Sequence, residues 1–192
     1  MTITERADRL HFTGDEEADR LLVSDPMALL IGFALDQQVP VQKAFVGPKV
    51  LQARLGSIGA RELAGMDFAE LEAASKGPPA IHRFPGAMAK RISELAAHVV
   101  EAYDGDAARL WTDASDGRDL QRRIAALPGF GEMKVRALTA VLAKRLGVDL
   151  PGVVDVLPGY PTLGDVDSPS ALADYQAGKR ARNAAMRSEA GA

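Results

Sequence analysis

The segment Leu127-Pro128-Gly129-Phe130-Gly131 separates two stretches of helical periodicity and is the most informative part of the sequence. Gly129 and Gly131 can adopt conformations that other residues avoid, and they allow another backbone to approach closely. The amide groups of the turn and of the next helix would then point outward, where the helix dipole adds positive potential. The segment therefore predicts a hairpin of two helices over residues 118–146 whose turn binds a phosphate. The alternative is a glycine-linked helix pair without a ligand.

Helical periodicity continues on both sides of this hairpin. Asp25 and Pro26 form a helix start, as N-cap and first helical residue, and the apolar stretch after them predicts a buried central helix reaching Gln38. The spacing of apolar residues over 86–103 predicts a long amphipathic helix. Shorter helices are predicted over 15–23, 41–55, 60–65, 68–75, 116–126 and 132–146. Ala and Leu dominate the composition and are strong helix formers, so the fold class is predicted to be all-α.

The chain divides into three predicted regions. Residues 1–14 are expected to form a flexible N-terminal arm, 15–167 the helical domain, and 168–192 a last helix and a basic tail. Gly77-Pro78-Pro79 is a plausible boundary between two lobes. Residues 148–168 are rich in Pro, Gly and Asp, and so long an irregular connection is more often a functional loop than a spacer.

Composition excludes several kinds of site. The chain of 192 residues has no cysteine, which excludes disulfides and cysteine-ligated metal centres. The three histidines, His11, His82 and His98, lack the spacing of metal ligands, so we expect neither a metal nor a cofactor.

Charge and hydropathy bear on location and partners. The N-terminus has no apolar segment typical of a signal peptide, and no apolar run has the length of a membrane span, so we expect a cytoplasmic protein. The net charge of −3 counts against binding of nucleic acid through bulk charge, although it allows a local basic face.

Three segments together resemble the helix-hairpin-helix superfamily of base-excision DNA glycosylases, which includes endonuclease III and the adenine and 3-methyladenine glycosylases. They are residues 30–40, which end in Gln37-Gln38-Val39-Pro40, residues 89–96, and residues 127–141. They follow the superfamily's order and span roughly residues 20–150, and the chain is similar to a cluster-less group within it. The resemblance implies two helical lobes with a DNA-binding cleft between them.

The resemblance also implies binding residues. Gln37 and Gln38 match the glutamines that lie near the lesion pocket, although one of them could simply cap the helix. The hairpin residues 127–131 and Lys134 would contact the DNA backbone. The tail residues Lys179 and Arg180, with Arg182 and Arg187, would add phosphate contacts or form a solvated basic end. Phe84 could stack on DNA or pack between lobes.

The catalytic acid is the least defined of these residues. The family places an Asp soon after the second hairpin helix, and Asp155 is the candidate, with Asp149, Asp165 and Asp167 in the same segment. Turn residues without a catalytic role are the alternative. The position of the lysine nucleophile of bifunctional members is occupied by Met133. Lys134 is one residue later, about 100° around the helix, so it should point elsewhere and no lyase activity is expected.

Three functions follow from this reading. The first is a monofunctional DNA glycosylase that holds double-stranded DNA by its phosphates, as a monomer associated with the nucleoid, and flips and removes a damaged or mismatched base. The second is a catalytically inactive DNA-binding or damage-sensing module. The third is a helical structural or protein-interaction domain in which the hairpin is only a turn.

Overall fold

The computed structural model describes residues 6–190, apart from the side chains of residue 183 and residues 186–190. Residues 1–5 of the predicted arm and Arg187 of the predicted tail lie outside the described residues. The described part contains ten α-helices, two short 3-10 turns and no strand, so the all-α prediction is confirmed. The α-helices are α1 Glu16–Ser24, α2 Pro26–Leu35, α3 Val41–Leu55, α4 Ala60–Gly65, α5 Phe68–Lys76, α6 Pro85–Tyr103, α7 Arg109–Thr112, α8 Gly117–Ala125, α9 Glu132–Arg145 and α10 Pro169–Ala190.

Helix α2 is the centre of the core. Asp25 caps it by accepting the amide hydrogens of Met27 and Ala28, and every residue from Met27 to Leu35 is buried. It packs against α1, α3 and α6, which together surround it. The predicted helix was too long, because α2 ends at Leu35 and residues 36–40 form an irregular loop before α3.

The N-terminal segment was predicted to be a flexible arm, and this is wrong for residues 6–14. Leu10 and Phe12 are fully buried, and the Phe12 ring packs edge-on against Phe45 of α3. The amides of Phe12 and Thr13 donate to the buried carboxylate of Asp19. Two apolar side chains within a charged segment are enough to anchor it, because each removes a large apolar area from water.

Helix α6 organises the middle of the chain. Met88, Ile92, Leu95 and Val99 line one buried face of it, as their spacing predicts, and α4 and α5 pack against the helix. The Gly77-Pro78-Pro79 break separates α5 from α6 as predicted. Because the buried apolar side chains form one continuous cluster that includes residues of α1 to α10, this break does not interrupt the core.

The predicted irregular connection after α9 is folded onto the helices. It contains two 3-10 turns, η1 at Val154–Val156, which contacts α8, and η2 at Leu163–Asp165, which contacts α9 and α10. Gly164 of η2 lies directly on the backbone of α9: a Cβ placed there would be 2.6 Å from the Ala140 carbonyl carbon. The absence of a side chain at Gly164 therefore allows η2 to pack this closely on α9.

Helix α10 begins on the core and extends away from it. Leu172 is buried, and the side-chain amides of Gln176 and Gln42 bond each other, whereas residues 177–182 are exposed. None of the described helices combines the length and the apolar character needed to cross a membrane.

The close approach of η2 to α9 gives a test of the packing. We expect Gly164→Ala to lower the free energy of unfolding by about 2 kcal/mol, because the added methyl group meets backbone atoms that cannot move aside. Gly178→Ala is the control: nothing lies within 4 Å of its Cβ position, so the free energy of unfolding should stay the same or rise slightly. Urea unfolding measures both, and equal midpoints for the two variants would contradict the packing described.

Candidate nucleic-acid interface and adjoining cavity

The predicted hairpin is present, formed by α8, a turn over residues 126–131, and α9. Leu127 and Phe130 are buried, and the Phe130 amide donates to the Leu127 carbonyl, so these two residues anchor the turn in the core. Gly129 is exposed with φ +78°, a conformation that favours glycine. Pro128 is half-buried between them. Of the five turn residues predicted to bind DNA, the two glycines are therefore the fully exposed ones.

The N-terminus of α9 faces solvent without a capping side chain. Gly131 is the N-cap residue, and no side chain among the described residues caps the helix. The first main-chain bond of the helix runs from the Val135 amide to the Gly131 carbonyl. An α-helix leaves its first amides without partners in the helix, so these groups are available to an anion. Glu132, the acid nearest to them, forms an ion pair with Arg136.

The loop after α2 lies beside this turn. Gln37 and Gln38 are both exposed, and Gln38 has φ +56°. Arg91 of α6 donates to the side-chain oxygen of Gln37, and its guanidinium lies against Gly129, where a Cβ would be 2.8 Å from its Nε. The structure thus brings Gln37 and the predicted hairpin together, with Arg91 between them, whereas Gln38 is not among the residues lining this groove. Gln37, Arg91 and the residues from Leu127 to Lys134 line one groove, here called the hairpin groove.

His82 fixes the loop that carries the glutamines. Its ring is buried, its Nδ1 accepts the Phe84 amide hydrogen at 3.0 Å, and its Nε2 is 2.8 Å from the Gln37 carbonyl oxygen. Since Nδ1 accepts, Nε2 must carry the proton, which defines a neutral imidazole. Burial lowers the pKa of His82, against the opposing effect of the Gln37 bond. Phe84 itself is 48% exposed with the Arg83 guanidinium over its ring.

A cavity of about 560 Å³ adjoins the hairpin groove and is here called the Asp36 cavity. It lies between the end of α2, the first turns of α9, the segment before η2, and α10. Three aromatic side chains and four charged ones give it a mixed lining: Phe33, Tyr160, Tyr175, Asp36, Lys134, Lys179 and Arg182. Met133, which is 68% exposed, and Lys134 line both the cavity and the groove, so the two spaces adjoin at the start of α9.

Lys134 and Asp36 are the perturbed groups of this cavity. The Lys134 ammonium donates to the Ala34 carbonyl oxygen at 3.2 Å, and burial lowers the pKa of Lys134 to about 8, although the charge of Asp36 opposes this. Burial also raises the pKa of Asp36, while the charges of Lys179 and Lys134 oppose the change. Asp36 and Lys134 therefore lie in one cavity, and burial disfavours the charged form of each group. Titratable groups with pKa values shifted in this way are common at functional sites.

The placement of Lys134 differs from the sequence-based expectation. Helical spacing predicted that its side chain points away from the site, yet it lines the same cavity as Met133. Long side chains on a helix lean back toward its N-terminus. At the third residue of α9, this direction leads the amine past the helix end to the Ala34 carbonyl at the end of α2.

The predicted catalytic acid lies on a different element. Asp155 is exposed within η1, which packs on α8, and it is not among the residues lining the groove or the Asp36 cavity. Asp165 caps its own turn through Thr162 and forms an ion pair with Lys144. Asp149 and Asp167 are exposed in irregular segments. The structure therefore does not bring Asp155 together with Lys134 or the glutamines.

The basic residues of α10 are divided between two surfaces. Lys179 lines the Asp36 cavity, together with Arg182, whereas Arg180 is exposed and is not part of that lining. Because this cavity shares Met133 and Lys134 with the hairpin groove, Lys179 lies on the side of the molecule that carries the hairpin. One of the two predicted tail residues is thus close to the candidate interface.

Sequence reasoning missed Asp36, Arg91 and His82. A signal for Asp36 was present, since it is the first polar residue after nine apolar ones and directly precedes the two glutamines. His82 and Arg91 gave no local signal, because their partner Gln37 is 45 and 54 residues away in the chain.

Comparison of the chain with protein-family models, with curated proteins and with solved structures found no match.

The neutral state of His82 predicts a dependence of stability on pH. Its pKa is lowered in the folded protein relative to the ordinary 6.5, so the unfolded chain binds more protons as the pH falls below about 6.5. The free energy of unfolding should therefore decrease from pH 7.5 to pH 5.5. His82→Gln should flatten this decrease, because glutamine retains an N–H for the Gln37 carbonyl and does not titrate. Urea unfolding at several pH values measures it.

The matched control is His98→Gln, since His98 lies against Tyr103 at the other end of α6. This variant should keep the decrease of the parent protein. A parent protein equally stable at both pH values would contradict the assignment of a neutral His82.

Proposed function

We propose that this chain is a DNA-binding base-excision protein that removes a damaged or mismatched base as a monofunctional glycosylase. The observation that carries the proposal is that two features adjoin at the start of α9. An uncapped helix N-terminus behind a glycine turn lies next to a cavity that is lined by the partly buried carboxylate of Asp36. The resemblance to helix-hairpin-helix glycosylases, which rests partly on the same hairpin residues, agrees with this proposal.

The hairpin is suited to the DNA backbone. The amides at the start of α9 and the helix dipole favour a phosphate oxygen, and Gly129 and Gly131 leave space for the sugar-phosphate chain. Arg91 and Lys179 add cationic groups on the same side. Contacts of this kind need few basic side chains, which agrees with a net charge of −3.

The Asp36 cavity is suited to an unstacked base. Its volume of about 560 Å³ lies within the range of ligand sites, and Phe33, Tyr160 and Tyr175 offer apolar surface for a planar ring. A base that leaves its sugar generates an electron-poor carbon. A carboxylate can stabilise this charge or activate the attacking water. Asp36 supplies a carboxylate inside the cavity, whereas Asp155, the acid expected from the resemblance, lies in an exposed turn.

The second candidate is a binding module without catalysis. It would use the same hairpin and the same phosphates, and its cavity would only accommodate the damaged base. Asp155 is exposed in η1. If Asp155, rather than Asp36, is the acid needed for base removal, this exposure favours the binding module. The third candidate, a helical domain without a nucleic-acid ligand, differs from both in that the hairpin would bind no phosphate.

Gly131→Asp separates phosphate binding from folding. Aspartate is a preferred N-cap residue, so its carboxylate should accept the amides of α9 in place of a phosphate and leave the fold as stable as before. Because it also repels the DNA backbone, we expect duplex affinity to fall by tenfold or more, about 1.4 kcal/mol. Fluorescence anisotropy with a short duplex at fixed low salt measures the affinity.

Gly65→Asp introduces the same charge at an exposed position with nothing within 4 Å of its Cβ position, away from the hairpin. It should change duplex affinity far less than Gly131→Asp. Equal affinity of the parent protein and Gly131→Asp would exclude the hairpin as the phosphate site and favour the third candidate.

Base removal is tested with duplexes that carry uracil, alkylated, oxidised or mismatched bases, followed by alkali to break the strand at abasic sites. We expect breaks at one class of lesion. Asp36→Asn should reduce the rate by about 100-fold or more, as expected for loss of a group that stabilises the transition state. Asp155→Asn should leave the rate within a few-fold of the parent protein.

Loss of activity in Asp155→Asn with retention in Asp36→Asn would assign the acid to η1 instead. Salt-sensitive binding without breaks at any lesion would favour the binding module.

A further inference from the structure

His82 connects two segments that are far apart in the chain. Its Nε2 lies 2.8 Å from the carbonyl oxygen of Gln37, and its Nδ1 accepts the amide hydrogen of Phe84 at 3.0 Å. Gln37 belongs to the loop of residues 36–40, here called the Gln37 loop, and Phe84 is the N-cap residue of α6. One buried ring therefore holds the Gln37 loop against the start of α6.

The segment that carries His82 is itself fixed, so it can support the loop. Ile81 is buried, and its amide donates to the Ser75 carbonyl in α5. The Lys43 ammonium of α3 donates to the Ala80 carbonyl at 2.8 Å. The residues that precede His82 are thus bonded to α3 and α5, whereas the loop that it holds is largely exposed.

The Gln37 loop needs this support because its conformation costs free energy. Gln38 has φ +56°, in the left-handed region that glutamine adopts rarely. Such a residue persists where its surroundings fix it. His82 holds the Gln37 carbonyl, and Arg91 donates to the Gln37 side-chain oxygen. Since Arg91 also lies against Gly129, both contacts determine where Gln37 lies relative to the hairpin.

We propose that His82 is a positioning residue for the DNA interface, which holds the Gln37 loop in its DNA-binding geometry only while its ring is neutral. The proposal rests on the proposed function, because it assigns a dependence on pH to the same groove. A second proton would place an N–H on Nδ1, facing the amide N–H of Phe84, and two donors cannot bond each other. The Gln37 loop and the start of α6 would then have to separate.

The charges around the ring do not compensate for an added proton. Burial lowers the pKa of His82, and so do the charges of Lys43 of α3, the neighbouring Arg83 and Lys134 of α9, whereas the bond to Gln37 raises it. Arg91 of α6, which bonds the same glutamine, is a cation as well. Protonation of His82 would therefore cost the bond from Phe84 without adding an attraction to any of these groups.

The direction of the effect distinguishes a positioning residue from a direct phosphate ligand. A histidine that contacts DNA phosphates binds them better when it is protonated, so the affinity for a duplex rises as the pH falls. Protonation of a buried histidine that holds the interface together has the opposite effect. The apparent affinity then falls in proportion to the neutral fraction.

The test compares the pH dependence of duplex affinity with the titration of the His82 ring in the full chain. Fluorescence anisotropy with a short duplex at fixed salt measures the affinity between pH 7.5 and pH 5.0, and NMR of the imidazole signals gives the pH at which His82 titrates. We expect the affinity to fall by about threefold or more as His82 is protonated, because the protonated fraction does not hold the loop.

His82→Gln should lose this fall, because glutamine offers an N–H and an oxygen but does not titrate. His98→Gln is the matched control and should retain the fall, since His98 lies against Tyr103 at the other end of α6. The same pH dependence in the parent protein and in His82→Gln, or an affinity that rises as His82 is protonated, would overturn the proposal and leave the proposed DNA binding intact.

Hydrogen exchange decides the proposal if His82→Gln does not fold or if the protein binds no duplex. The protection of the Phe84 amide should fall as His82 is protonated, because this amide loses its acceptor. The Ile81 amide, which donates to the Ser75 carbonyl, should keep its protection. Unchanged protection at Phe84 would overturn the proposal. Absence of duplex binding at pH 7.5 would overturn the proposed function instead, so the two failures are distinguishable.

Discussion

Complete burial of α2 is the constraint on which the rest of the structure depends. Its nine consecutive buried residues have no polar face, so α1, α3 and α6 must surround the helix, and its ends must reach the surface elsewhere. The C-terminal end emerges beside the hairpin and carries Asp36 and Gln37. An α-helix also leaves its last carbonyls without partners in the helix. The Ala34 carbonyl accepts from Lys134, so the requirement to satisfy the core helix helps to place the amine.

Two helix ends meet at Lys134 and act on it in opposite directions. The N-terminus of α9 disfavours a positive charge and favours an anion, whereas the C-terminus of α2 favours a cation. The Lys134 ammonium can stay charged at this point because the C-terminal end of α2 and the Asp36 carboxylate offset part of the cost of its burial. An anion at the hairpin and a cation behind it are therefore compatible. Such an arrangement is compatible with the proposed phosphate site in a chain whose net charge is −3.

Local patterns allowed much of the fold to be predicted. The bounds of α3 and α4 agree with the prediction, and Asp25 caps α2 as predicted. The predictions were less accurate where packing overrides local pattern. The arm of residues 6–14 is anchored by Leu10 and Phe12, and α2 ends before Asp36, although the sequence continued to favour a helix.

For the site, the glutamines and the hairpin could be identified from a resemblance. Arg91 lies between Gln37 and the hairpin, and His82 holds the Gln37 backbone; both roles depend on contacts between distant segments.

The partial burial of Asp36 and Lys134 in one cavity costs free energy, and this cost is an argument for a functional role. Burial raises the pKa of Asp36 and lowers that of Lys134, so the fold opposes the charged form of both groups. An apolar pair of similar size would often be at least as stable there, since desolvation of buried charges can exceed their mutual attraction. Natural proteins retain such destabilising arrangements mainly where activity requires them. The presence of this carboxylate and this amine in one cavity therefore supports the proposed function, in which the cavity accepts a ligand next to the hairpin.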